Sequence, residues 1–94
     1  MYTIGQVSEM FNLPVSTLRY YDKEGLFPFM QRTSGIRQFS DTEIAALKLI
    51  ECLKKSGLEI RNIKQYLKAV LFNAPSTIDS YYTALVNHDL YGGE

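Results

Sequence analysis

The chain has no tryptophan, one cysteine and one histidine in 94 residues. A single thiol, Cys52, excludes an intramolecular disulfide framework, and a single imidazole, His88, excludes a paired-histidine metal site. No apolar run approaches the ~20 residues that a membrane-spanning helix needs. Residues 1–5 show neither the basic region nor the apolar core of a secretory signal, so the default reading is a soluble cytoplasmic protein with no membrane partner. Net charge is also missing. Ten Lys and Arg balance ten Asp and Glu, which argues against a generally basic nucleic-acid coat. Enzyme signatures are absent too: there is no nucleophile–base set, no carboxylate pair backed by a glycine loop and no phosphate-binding loop. No catalytic residue, metal ligand or cofactor is therefore assigned.

What remains is a small, mainly α-helical domain. Apolar residues at 46% and charged residues at 21% are globular values. A chain this short buries about 60–65% of its unfolded surface, enough for one small core. Thr3 and Gln6 have capping-box spacing, and Ile4, Val7 and Phe11 then recur on one helical face. Asn12-Leu13-Pro14 ends that helix, with Asn12 suited to positive φ. Ser16 is predicted to cap a second helix, with Val15 and Tyr20 as a hydrophobic staple and Gly25 as the stop. Helix, short turn, helix is the helix-turn-helix unit.

Residues 28–39 read as non-helical, and Thr33-Ser34-Gly35-Ile36 is suited to a tight hairpin turn flanked by Arg32 and Arg37. Ser40 and Glu43 form a second capping-box pair. They precede Ile44, Leu47, Ile50 and Leu53 at helical spacing, with Ala45, Ala46 and Leu49 widening the apolar face. Cys52 lies in that apolar stretch, in the role of a small core residue rather than a sensor thiol. Gly57 stops the helix. A fourth runs over residues 60–71 with Ile63, Tyr66, Leu67 and Val70 inward, and Asn73-Ala74-Pro75 breaks it. Ser76 or Thr77 begins a last helix bearing Ile78, Tyr81, Tyr82, Leu85 and Val86. That helix is too short to hold alone, so its apolar face must meet the domain or a second copy. Gly92-Gly93-Glu94 is expected to fray.

The segment from Ser16 to Gly25 carries the chemistry. Arg19, Tyr20 and Lys23 share a basic, aromatic, hydroxyl-bearing face that suits a DNA major groove. Arg19 can fork onto guanine O6 and N7 or onto phosphate; its other use is an ion pair with Glu9 or Asp22. Ser16 and Thr17 at the helix start suit a phosphate oxygen. Tyr20 and Tyr21 can each reach phosphate, but adjacent helical residues diverge, and Tyr21, three residues from Leu18, is the more buried of the two. Arg37 and Arg32 suit the DNA backbone or the minor groove, and are otherwise solvated hairpin charges. Lys54 and Lys55, near a helix C-terminus, favour the helix dipole. All ten basic residues fall within residues 1–70, against seven acids, while residues 71–94 hold three acids and no Lys or Arg. The basic excess is thus expected on the DNA-facing part.

These residues resemble the MerR family of transcriptional regulators. Tyr2-Thr3-Ile4-Gly5-Gln6-Val7 looks like the family's opening, Thr17-Leu18-Arg19-Tyr20-Tyr21-Asp22 the core of its recognition helix, and residues 32–40 its wing; the likeness extends to about residue 71. It implies a winged helix-turn-helix over residues 1–71, with a short two-stranded wing and a following helix pair, and a short C-terminal helix after it; by position in the family, Lys54 would touch phosphate. Residues 72–94 would then begin a dimerisation or effector-linking helix. It also implies a homodimer on double-stranded promoter DNA, joined through Ile78, Tyr82 and Leu85, that bends the promoter for RNA polymerase under a small-molecule effector. Four departures stand out. Ile36 and Phe39 replace the usual tyrosines, Asn12 replaces glycine, Glu59 replaces a Ser or Thr cap, and the seam after Ile78 decays at His88 and Asp89. Two other readings stand beside this one: an excisionase-like architectural protein that bends DNA in arrays, and a protein-interaction module that keeps the fold without binding DNA.

Overall fold

In the computed structural model, the backbone of residues 1–72 and 77–92 and the side chains of residues 1–70 and 78–87 are described. Helix α1 (Ile4–Phe11) starts where the Thr3 hydroxyl accepts from the Gln6 amide and the Gln6 side chain returns a bond to the Thr3 N–H, the capping box that the spacing predicts. It ends at Asn12, left-handed at φ 53°. The Leu13 N–H then reaches back to the Ser8 carbonyl at 3.0 Å, and the Ser8 hydroxyl donates to the Leu13 carbonyl.

Helix α2 (Val15–Lys23) begins two residues earlier than predicted. Pro14, at φ −59° and ψ 145°, occupies the cap, and its carbonyl accepts from Thr17 and Leu18. Proline's fixed φ suits that place, where the missing N–H removes no bond. Ser16 is consequently inside the helix and makes no capping bond, and the Val15–Tyr20 staple loses its register. At the other end Gly25, at φ 82°, permits a complete reversal: Gly25 N–H bonds the Asp22 carbonyl and Leu26 N–H the Tyr21 carbonyl, both at 3.0 Å. Leu26 and Tyr21, the pair that this motif brings together, are both buried.

Strands β1 (Gln31–Thr33) and β2 (Ile36–Gln38) pair antiparallel, with Thr33 opposite Ile36. The two-residue loop has Ser34 at φ 53° and Gly35 at φ 78°, the doubly positive turn whose twist matches a hairpin. Beyond it, Tyr2 and Phe39 exchange two backbone hydrogen bonds of 2.8 and 2.9 Å.

Helix α3 (Asp41–Lys55) follows. At its start the Ser40 N–H and hydroxyl both donate to the buried Glu43 carboxylate, at 2.9 and 2.5 Å. Helices α4 (Ile60–Phe72) and α5 (Thr77–Gly92) complete the order. Gly57 and Leu58 close α3 with the bond pattern seen at Gly25. At α4 the Glu59 carbonyl accepts from Ile63, while its carboxylate turns to Arg61 at 3.4 Å and caps nothing. The break at Asn73–Pro75, the capping side chains of Ser76 and Thr77, the seam at His88 and Asp89 and the fraying of Gly93–Glu94 fall outside the described residues.

The chain divides into two units, residues 1–44 and 45–94. The first buries Val7, Leu18, Tyr21, Leu26, Phe27 and Phe39, with Phe27 edge-on to Phe39 at 5.6 Å. Phe39 is therefore core, and a phenolic hydroxyl there is not needed for packing. The second unit buries the predicted Leu47, Leu49, Ile50 and Leu53 of α3 with Ile63 and Leu67 of α4, while Tyr66 and Val70 are half-buried. Cys52, placed in the core by its neighbours, is only half-buried. Helix α5 packs on α4, and buries Tyr81 and Ala84.

Candidate nucleic-acid interface

Helix α2 is two-faced. Leu18 and Tyr21 point into the first unit and are about 0–1% exposed, worth roughly 1.5–3 kcal/mol each as buried side chains. Ser16, Arg19, Tyr20 and Lys23, spaced i, i+3, i+4 and i+7, are all exposed. Tyr20 is 48% exposed, its ring 6.3 Å from that of Tyr21. The side that suits a duplex is thus open. Tyr21 is a correction: its ring belongs to the core and faces no groove. Thr17 is half-buried.

Arg19 makes no ion pair with any described residue. Neither Glu9 nor Asp22, the alternatives its spacing offers, takes it up. Lys23 is equally unpaired among the described residues. The wing behaves differently. Arg32 and Arg37 stand opposite each other across the hairpin, and both point to one oxygen, Oδ2 of Asp22. Arg37 donates through Nε at 2.8 Å, and Arg32 through one terminal amino group. The two arginines are therefore not free solvated charges. The Asp22 side chain is 8% exposed, while those of Arg32 and Arg37 are 47% and 27% exposed. The sequence names Asp22 only as a partner for Arg19. Its true partners lie ten and fifteen residues on, across a turn, where periodicity carries no signal.

The charge excess lies within residues 1–70, as expected, but unevenly. Residues 1–44 hold four basic and five acidic residues, and the excess lies in residues 45–70. A positive surface on the first unit therefore depends on where its cations sit, not on their sum. Lys54 is exposed in the last turn of α3, in the second unit. Of the dimer-seam residues, Ile78 and Leu85 are half-buried and Tyr82 is exposed, with the Lys48 ammonium 5.7 Å from its ring centre. One feature has no sequence signature: an open groove of about 310 Å³ in the second unit, lined by Tyr66, Val70, Asp79, Ser80, Thr83, Ala84 and Asn87. Among the described residues no cluster of His, Cys, Asp and Glu could hold a metal ion, and no helix is long and apolar enough to cross a membrane.

A helix-turn-helix with an open basic face on its second helix, followed by a two-stranded wing, defines a winged helix-turn-helix of the DNA-binding class. Residues 2–70 match the model of the MerR HTH family regulatory proteins, and the chain belongs to that family, one of transcription regulators and not of enzymes. It is 37% identical over 71 residues to an HTH-type transcriptional regulator of Haemophilus influenzae, covering 74% of this chain and 53% of that protein. It is 39% identical over 64 residues to the regulator AdhR of Bacillus subtilis, covering 67% and 46%. The chain spans about half the length of these curated relatives. Among solved structures, a MerR-family transcriptional regulator from Bacillus thuringiensis superposes with a TM-score of 0.68 at 37% identity, covering 98% of this chain and 87% of that one. HiNmlR, a MerR-family regulator lacking the sensor domain and bound to promoter DNA, superposes with a TM-score of 0.70 at 32% identity, covering 95% and 71%.

Proposed function

We propose that this chain binds double-stranded promoter DNA by laying the Ser16–Arg19–Tyr20–Lys23 face of α2 in the major groove, with the wing against the adjoining backbone. The observation that carries this reading is that face itself: four exposed side chains, two of them cations unpaired among the described residues, on a helix anchored by buried Leu18 and Tyr21. The family neighbour bound to promoter DNA supports the same use of the fold.

Thr17 and Lys54 complete the phosphate contacts. The active form is a homodimer on a two-fold-related site, joined through Ile78, Tyr82 and Leu85 of α5. It bends the promoter to reposition its elements for RNA polymerase. An effector acts on the second unit, where the groove beside Asp79, Thr83 and Asn87 offers polar partners next to Tyr66 and Val70.

The test is selection of a binding site from random duplexes, followed by hydroxyl-radical footprinting over a range of salt. The reading expects a symmetric footprint and an affinity that falls with salt by about 0.9 log units per log unit for each phosphate neutralised. A flat salt response ends it, and an extended phased footprint transfers the chain to array-binding architectural proteins. Equilibrium sedimentation of the intact chain tests the dimer, with a monomer at high concentration as the contrary result.

A further inference from the structure

Arg32 and Arg37 occupy directly opposed positions of the wing, where like charges repel across the ladder. The strands are three residues each, and all of β1 is exposed, so little apolar burial offsets that repulsion. The carboxylate that neutralises both comes from α2, the recognition helix, and is almost fully covered. Its bond to Arg37 uses Nε, one edge of the guanidinium. The two terminal amino groups make no bond to a described residue, and they form the fork that matches a phosphate.

We propose that Asp22 is the positioning residue of the wing. It ties the hairpin to α2 and holds Arg37 by its Nε edge, so that the opposite fork is aimed at a DNA phosphate. This rests on the DNA-binding reading and adds a requirement to it. A bridge of this kind needs arginine, because a lysine ammonium is a point charge that cannot hold a carboxylate on one edge and present a planar fork on the other.

The experiment uses the intact chain and a random-sequence DNA duplex at low salt, since a phosphate contact is indifferent to sequence. Arg37→Ala is expected to weaken binding about tenfold, and Arg37→Lys nearly as much although it keeps the charge. Asp22→Asn is expected to weaken binding too, although it removes a negative charge beside the DNA. In that background Arg37→Ala should change little, and Asp22→Glu should restore most of the coupling. Three results overturn the proposal: Arg37→Lys binding like the unaltered chain, Asp22→Asn binding as tightly or more tightly, or an Arg37→Ala loss that is the same with and without Asp22. Arg37 is partly exposed on a hairpin, so Arg37→Lys decides the matter even where Asp22→Asn fails to fold. An unaltered chain that binds no duplex defeats the DNA reading and this one with it. Binding without Asp22–Arg37 coupling defeats this one alone.

Discussion

Two cationic surfaces in the first unit are built in opposite ways. On α2, Arg19 and Lys23 stand unpaired among the described residues, whereas in the wing Arg32 and Arg37 are held by Asp22. The difference follows from what lies beneath each. The helix is fixed by its own ladder, by the reversal at Gly25 and by buried Leu18 and Tyr21, so its outer side chains need no partner to keep their place. The wing has no buried face on β1 and must be secured by ions. A free side chain loses rotamer freedom when it binds, at a cost of about 0.5–1.5 kcal/mol, and a held one has already lost it. On the DNA-binding proposal, the first surface adapts to a sequence and the second is set for one backbone geometry.

The largest test removes the support under the free surface. Leu18→Ala is expected to cost about 2–5 kcal/mol of folding stability by denaturant titration, because the side chain is wholly buried. A loss below 1 kcal/mol would mean that α2 is held by something other than its core face. Next, Arg19→Ala should cost about 1–3 kcal/mol of binding to a selected site, with the melting temperature unchanged. A stability loss of similar size would make Arg19 structural and erase the contrast with the wing. Third, Gly35→Val places a branched residue at φ 78°, with an expected strain of about 1–2 kcal/mol. Hydrogen exchange should quicken within residues 31–38 and stay slow within α2; equal quickening in both would show the two surfaces to be one cooperative element. The smallest effect is that of Lys23→Ala, which should lower the salt slope of binding by about 0.9 and leave sequence preference intact. A changed preference would assign Lys23 to a base edge.

Features written in short range were legible in the sequence. The Thr3–Gln6 box, the turn at Ser34–Gly35, the left-handed Asn12 and the stop at Gly25 are each fixed by residues within a few positions of one another. The core of α3 was legible for the same reason, since helical period alone places Leu47, Ile50 and Leu53 on one face. Ser16 is not the cap, because proline's fixed φ suits that place and Pro14 takes it two residues earlier. The groove on α4 and α5 and the bond of both wing arginines to Asp22 were not legible. Each depends on which residues meet after the chain turns back, and hairpin and loop geometry set that, not spacing.

The paired bonds between Tyr2 and Phe39 bear on how the protein is made. They close a long circuit of chain onto its own second residue. A nascent polypeptide emerging from a ribosome can form α1 and α2 in turn, but Tyr2 has no mate until the whole hairpin has been extruded. Completion of this lobe is therefore timed by the appearance of Phe39, and slow contacts of high sequence separation of this sort are where folding and translation become coupled.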